Sequence, residues 1–220
     1  MGELNLKRCI LGTVSTNCYI VYRQPVQEDK DALKSGVIID PGDNAPFILN
    51  KCKEMKIKPE AILLTHGHFD HILAAEDVRR SFHIPILANE KEMELLEEPS
   101  MNLSISFGEP ISITADRWLK DGEELELIGS KWKVIHTPGH TAGSQCFYLK
   151  EDKMLFSGDT LFQGSVGRTD FPTASYEDIM DSVIRKLFVL PEDTKVYPGH
   201  DSETTIGYEK KYNMISRHRW

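Results

Sequence analysis

Three histidines and an aspartate fall within six residues: His66, His68, Asp70 and His71, in the run Thr65-His66-Gly67-His68-Phe69-Asp70-His71. Imidazole nitrogen and carboxylate oxygen are the donors that borderline divalent cations take, zinc foremost. Core packing has no use for such a cluster directly after the apolar run 61–64. A strand that ends in a polar loop presents its side chains at the sheet edge, where open α/β sheets hold their ligands. His66 and His68 alternate, so an extended turn aims both imidazoles the same way. Asp70 and His71 then begin a helix and reach a second position nearby.

Three more residues of ligand type each follow an apolar strand and a small or Pro-Gly break. His140 lies in Thr137-Pro138-Gly139-His140, Asp159 in Ser157-Gly158-Asp159-Thr160, and His200 in Pro198-Gly199-His200. Glycine lets the backbone approach an ion without a clashing side chain. Any one of these alone reads as an ordinary exposed or turn residue; it is the repetition that carries weight. The remaining histidines, His83, His136 and His218, sit in ordinary surface or strand sequence and read as structural.

These residues need rigid supports. Residues 18–22 and 36–40 read as strands, the second stopped by Pro41-Gly42. The polar stretch 24–35, with Glu28, Asp29, Lys30 and Asp31, reads as a solvated hairpin loop. Residues 45–56 predict a helix with Phe47, Ile48, Cys52 and Met55 near one face. The wholly apolar 61–64 is a strand buried on both faces. A helix is expected over 73–82 and a strand over 84–88. Residues 90–98 carry five glutamates around Met93, Leu95 and Leu96, the pattern of a helix with a wet face. Four strands are expected between 123 and 156, turning at Gly129-Ser130 and Glu151-Asp152. An amphipathic helix follows over 176–188, with Ser175 as its N-cap and Ile179, Val183, Ile184, Leu187 and Phe188 inward. A last strand covers 195–197. Strands mixed with helices in this way indicate a layered α/β fold.

The 220 residues suit a single domain, 1–220, with a sizeable core. The net charge of −8 weighs against nucleic acid as a partner. No stretch reaches the ~20 apolar residues of a membrane span, and the first residues do not read as a signal peptide. Cys9, Cys18, Cys52 and Cys146 are far apart and form no CxxC pair, so they read as reduced thiols in a cytoplasmic protein. The oligomeric state is left open.

Taken in order, these motifs resemble the metallo-β-lactamase superfamily: Asp40 in Ile39-Asp40-Pro41-Gly42, the HxHxDH cluster, the His140 loop, Gly158-Asp159-Thr160 and Pro198-Gly199-His200. The resemblance implies an α/β fold of four layers, an αββα sandwich of two mixed β-sheets with helices on the outer faces. It implies two divalent metal ions per chain, zinc, with iron or manganese also accepted by such donors. His66, His68 and His140 would hold one ion and Asp70, His71 and His200 the other. Asp159 would bridge them, and Asp40 would stand behind a ligand histidine and orient it.

Within the superfamily the chain is similar to glyoxalase II-like hydrolases. The run Gly164-Ser165-Val166-Gly167-Arg168-Thr169-Asp170-Phe171-Pro172 and the ending Thr204-Thr205-Ile206-Gly207 resemble their short, single-domain branch. The helical C-terminal domain with which full-length glyoxalase II helps grip glutathione is not expected, since 20 residues follow His200. The secreted zinc β-lactamases differ in placing a Cys where Asp159 stands, and the tRNA-processing branch differs in its RNA-binding arm. Persulfide dioxygenases, which use a single iron, share HxHxDH and a GRTDF-like segment.

The implied reaction is hydrolysis of a small-molecule thioester or related acyl substrate, with no nucleic-acid or membrane partner. A cation lowers the pKa of bound water to about 7, so hydroxide attacks the carbonyl. Asp70 is the catalytic carboxylate that steers it. A thiol's pKa of ~8.5 makes thiolate a ready leaving group. The alternatives are a mononuclear iron persulfide dioxygenase and a non-catalytic metal-binding protein. Arg168 has two readings, an anion-binding fork for substrate or an ion pair with Asp170 that shapes its loop. Tyr208, Lys210, Lys211 and Tyr212 read as the exposed face of a terminal helix.

Overall fold

The computed structural model describes residues 2–24, 32–107 and 110–217. The first half builds one six-stranded sheet in the order β1 (Leu4–Leu11), β2 (Thr16–Arg23), β3 (Lys34–Ile39), β4 (Ile57–Leu63), β5 (Ile86–Asn89) and β6 (Arg117–Leu119). The first three strands are antiparallel neighbours, and β3 to β6 run parallel. Parallel neighbours require crossovers. Here α1 (Ala45–Glu54) joins β3 to β4; α2 (Phe69–Ile72) and α3 (Ala75–Phe82) join β4 to β5; α4 (Met93–Glu97) and α5 (Ser104–Phe107) lie before β6.

The second half builds another six-stranded sheet from β7 (Glu124–Leu127), β8 (Ser130–His136), β9 (Gln145–Leu149) and β10 (Met154–Gly158). A small hairpin follows, β11 (Leu161–Phe162) with β12 (Ser165–Val166), then α6 (Tyr176–Asp181). Strands β13 (Lys195–Pro198) and β14 (Thr204–Thr205) complete the sheet in the order β14-β13-β10-β9-β8-β7, and α7 (Ile206–Tyr212) ends the ordered elements before a short 3₁₀ turn. Only β10 and β13 are parallel, so both sheets are mixed.

The two-residue period of a strand explains the layering. Val37 and Ile39 of β3, Ala61 and Leu63 of β4, Trp132 and Val134 of β8 and Phe147 of β9 form the core between the sheets. Their sequence neighbours Ile38 and Ile62 point the other way, to Ile48 and Cys52 of α1 and Val78 of α3. In the second sheet Ile135, Cys146 and Leu155 point outward to Ile179 of α6 and to Val183 and Leu187. The layers are therefore helix, sheet, sheet, helix, as the resemblance implied.

Several expectations need correction. Strand β1 and the short β6 and β14 were not legible beforehand. The 73–82 helix starts earlier and is broken: Leu73 N–H still bonds Phe69 O, but Ala74 N–H bonds Pro41 O, a tertiary partner that interrupts the helical ladder. The 176–188 helix passes into a π-turn over Ser182–Leu187, while Ser175 caps it as expected, accepting from Asp178 N–H. Phe47 stands 40% exposed, away from the buried face that Ile48 and Cys52 supply. In the 90–98 stretch Glu92 is fully buried, so the face is not uniformly wet. The charge cluster 28–31 and His218 lie outside the described residues. All four cysteines are buried and free of disulfides. No helix among the described residues is long and apolar enough to cross a membrane.

Candidate metal centre

Five strands deliver the site. Asp40 follows β3, and the HxHxDH run follows β4 and enters α2. His140 follows β8, Asp159 follows β10 and His200 follows β13. The sheets meet there through Asn17 and Tyr19 of β2, whose side chains donate to Pro198 O at 3.0 and 2.7 Å. Close approach at this edge needs glycine. A Cβ on Gly199 would strike Asp159 Oδ1, and one on Gly158, itself at φ 49°, would strike the Thr65 hydroxyl.

The structure brings all seven sequence-predicted donors together. His66, His68 and His140 form one grouping, His66, His71 and Asp159 a second, and Asp70, His71 and His200 a third. Within each, the donor atoms lie within 4.8 Å of one another. Asp159 stands between them, with Oδ1 3.4 Å from His71 Nε2 and Oδ2 3.5 and 3.6 Å from His140 and His200 Nε2. Asp70 Oδ2 lies 3.2 Å from His200 Nε2 and 3.4 Å from His71 Nε2.

Hydrogen bonds behind the cluster set which nitrogen of each ring is free. His71 Nδ1 donates to Asp40 Oδ2 at 2.9 Å. Thr65 Oγ1 donates to the same oxygen at 2.6 Å, so it accepts from His66 Nδ1 at 3.1 Å. His140 Nδ1 donates to Arg168 O at 2.8 Å. Each bond turns the opposite Nε2 toward the cluster, the arrangement metal-ligating histidines require. Asp40 thus orients two rings, one directly and one through Thr65. Its other oxygen accepts from Thr65 N–H at 2.8 Å.

The donors fit cations. His66 Nε2, His71 Nε2 and Asp159 Oδ1 are buried with no hydrogen-bond partner, and His68 Nδ1 lies 2.9 Å from His140 Nε2. Such orphans are rare in folded proteins unless a bound species satisfies them. Burial, with the neighbouring imidazoles, holds His66 well below the ordinary range. Burial and His140 bring His68 down to about 3, and burial lowers His140. The shifts favour the neutral form of these three rings, the form that donates to a cation. Burial would also lower His71 and His200, but the carboxylates of Asp70 and Asp159, with Asp40 beside His71, outweigh it and raise both. Burial would raise Asp70 and Asp159, yet the facing histidines hold both below the usual carboxylate range.

Around the donors, Phe171 stands edge-on to His68 and His140 at 5.4 and 6.1 Å, and Phe162 lies 6.2 Å from His200. Thr16 Oγ1 donates to Asp70 Oδ2 at 2.6 Å. Thr16, the first residue of β2, carries no ligand signal in sequence, whereas Thr65 lies directly before His66. Arg168 forms a two-point pair with Asp170 at 2.9 and 2.7 Å, and its guanidinium lies 4.2 Å over the Phe171 ring. His136 Nε2 bonds Ala142 O, and His83 ends α3 in the left-handed region, both outside the cluster. Tyr208, Lys210, Lys211 and Tyr212 lie exposed on α7.

The family model for the metallo-β-lactamase superfamily matches residues 11–200. The chain belongs to this superfamily. It is 36% identical over 213 residues to the hydroxyacylglutathione hydrolase GloC of Haemophilus influenzae, covering 96% of this chain and 97% of that protein. Among solved structures, the B3 metallo-β-lactamase BLEG-1 is similar with TM-score 0.88 and 39% identity, over 97% of this chain and 100% of that one. TTHA1623 in a di-iron-bound form is similar with TM-score 0.81 and 34% identity, over 95% and 99%. The fold of the superfamily and its metallo-hydrolase relatives agree with the His/Asp cluster.

Separate groupings predict separable losses. His71→Ala removes a donor from the Asp70–His71–His200 grouping and none from His66–His68–His140. Elemental analysis after metal loading is expected to fall from two cations per chain to one. An unchanged stoichiometry would show that His71 holds none.

Proposed function

We propose that the chain is a dinuclear metal-dependent thioesterase, glyoxalase II-like and similar in activity to a hydroxyacylglutathione hydrolase, acting on small thioester or acyl substrates. The observation that carries this is the pair of groupings, His66–His68–His140 and Asp70–His71–His200, with Asp159 between them. The resemblance to GloC supports the substrate class. Zinc is the proposed occupant, with iron or manganese as the other outcomes of elemental analysis. Neither a nucleic acid nor a membrane is proposed as a partner.

When bound, two divalent cations supply Lewis acidity toward the substrate carbonyl and a water acidic enough to react near neutral pH. Asp70, held in one orientation by Thr16, accepts a hydrogen bond from the attacking water and keeps its lone pair toward the acyl carbon. Phe171 covers one side of His68 and His140 and limits bulk water there. The sulfur leaves as thiolate, so no dedicated proton donor is needed. Arg168 is proposed as a contact for a substrate carboxylate, exchanging part of its bond to Asp170 for the ligand. Arg168→Ala is expected to raise KM several-fold for carboxylate-bearing thioesters and to leave neutral ones nearly unchanged. Equal KM for both in wild type and variant would remove that role.

The test is a panel on zinc-, iron- and manganese-loaded protein: a hydroxyacyl glutathione thioester, a simple thioester, a lactone, a β-lactam and glutathione persulfide with an oxygen electrode. Hydrolysis of thioesters above the others is expected. Oxygen consumption with the persulfide and no thioester hydrolysis would replace the proposal with the mononuclear iron dioxygenase. Inertness to the whole panel in metal-loaded protein would favour a non-catalytic metal-binding role.

A further inference from the structure

Glu92 lies in the glutamate-rich stretch after β5, yet it is 1% exposed. Its Oε1 accepts from the hydroxyl of Thr141, the residue after His140. That hydroxyl is itself oriented: Ser144 Oγ accepts from Thr141 N–H at 3.0 Å and lies 2.7 Å from Thr141 Oγ1, to which it donates. Gly143 has no space for a Cβ, because Glu92 and the Lys91 backbone press against it. A few residues on, Leu95 and Leu96 press in the same way against Gly67, between His66 and His68. The segment 92–96 therefore touches both loops that supply the His66–His68–His140 grouping, one loop from each sheet. The carboxyl is a costly device: burial pushes it up to about 8, and Oε2 has no partner. An apolar side chain of similar volume removes that unpartnered oxygen, while Thr141 Oγ1 keeps Ser144 Oγ as its partner, so the carboxyl is not needed for stability.

We propose that Glu92 is a positioning residue for the metal centre, locking the His140 loop through Thr141 and Gly143 at the spacing the three-histidine grouping requires. The proposal rests on reading that grouping as a cation site and is independent of the thioester chemistry. Groups behind metal ligands commonly change affinity 10- to 100-fold when lost.

Metal-free protein titrated with Zn²⁺ against a colorimetric chelator tests it, alongside the metal-free melting temperature. Glu92→Gln keeps an acceptor for Thr141 and is expected to bind Zn²⁺ within about threefold of wild type. Glu92→Leu is expected to weaken one equivalent, the one His71→Ala retains, about 10- to 100-fold, with a metal-free melting temperature no lower than wild type. Unchanged affinity in Glu92→Leu, a loss that only follows a lower melting temperature, or a Gln variant as weak as the Leu variant would each overturn it. Should Glu92→Leu not fold, Thr141→Val removes the same hydrogen bond and is expected to weaken that equivalent about tenfold; unchanged affinity there overturns the proposal. Wild type that binds no Zn²⁺ would instead overturn the cation reading itself.

Discussion

Asp159→Ala is expected to lower kcat/KM roughly 10³-fold, equivalent to about 4 kcal/mol of transition-state stabilisation, and to cost more than any single histidine. The reason is placement. Asp159 stands half-buried between the groupings, with its buried Oδ1 toward His71 and the other oxygen toward both His140 and His200. Its loss removes a negative donor from both cation positions together. It also removes charge that raises His71 and His200 in the cation-free protein. His200→Ala removes one neutral donor at the edge of one grouping, where its side chain is 24% exposed and water can take its place. A loss of about 10- to 100-fold is expected there. The two variants are compared by kcat/KM, metal content and far-UV circular dichroism. Equal losses in kcat/KM and in metal would show that Asp159 serves one position only.

The position of Asp159 at a strand end was legible from sequence because the rule producing it is local, whereas its place between the groupings came from the resemblance. An apolar strand, a glycine break and a ligand-type residue put His140, Asp159 and His200 at strand ends whatever the rest of the chain does. Of the layering, the wholly apolar 61–64 showed a strand covered on both faces, and the four-layer order followed from the resemblance. What escaped depends on contacts between segments distant in sequence. The break before Ala75 exists because Ala74 N–H finds Pro41 O, and no helix propensity at 73–82 records that partner. Glu92 escaped because composition averages over a stretch: Glu90, Glu94, Glu97 and Glu98 are exposed, and only the fold shows which glutamate turns inward. Asp40 was assigned one ring, whereas the hydroxyl of Thr65 extends its reach to a second. The Arg168–Asp170 pair corresponds to the structural one of its two readings, and its carbonyl has a use no side-chain pattern encodes, the orientation of His140.

The two cation positions are expected to differ in their response to pH. In the cation-free protein, burial keeps His66, His68 and His140 below the ordinary imidazole range, with His68 at about 3. Rings lowered in this way release few protons to an entering cation, so that grouping is expected to respond to pH less than the other. His71 and His200 are raised, because nearby carboxylates outweigh burial. Asp70 and Asp159 are lowered and already ionised. A cation entering the Asp70–His71–His200 grouping therefore has to expel protons from imidazoles. Ligand nitrogens bind only when deprotonated, so each expelled proton makes affinity fall tenfold per unit as pH drops below the raised pKa. With two rings involved, that position is expected to weaken by up to about 100-fold per pH unit, while the three-histidine position stays within about threefold. Zn²⁺ competition at pH 6, 7 and 8 measures both, and an indicator dye in weakly buffered solution counts the protons released with each equivalent. Parallel weakening at the two positions, or no proton release with the second equivalent, would mean that the carboxylates do not hold His71 and His200 protonated. His71→Ala provides the internal control: it is expected to bind a single equivalent, whose affinity shows the weak pH response of the three-histidine position alone.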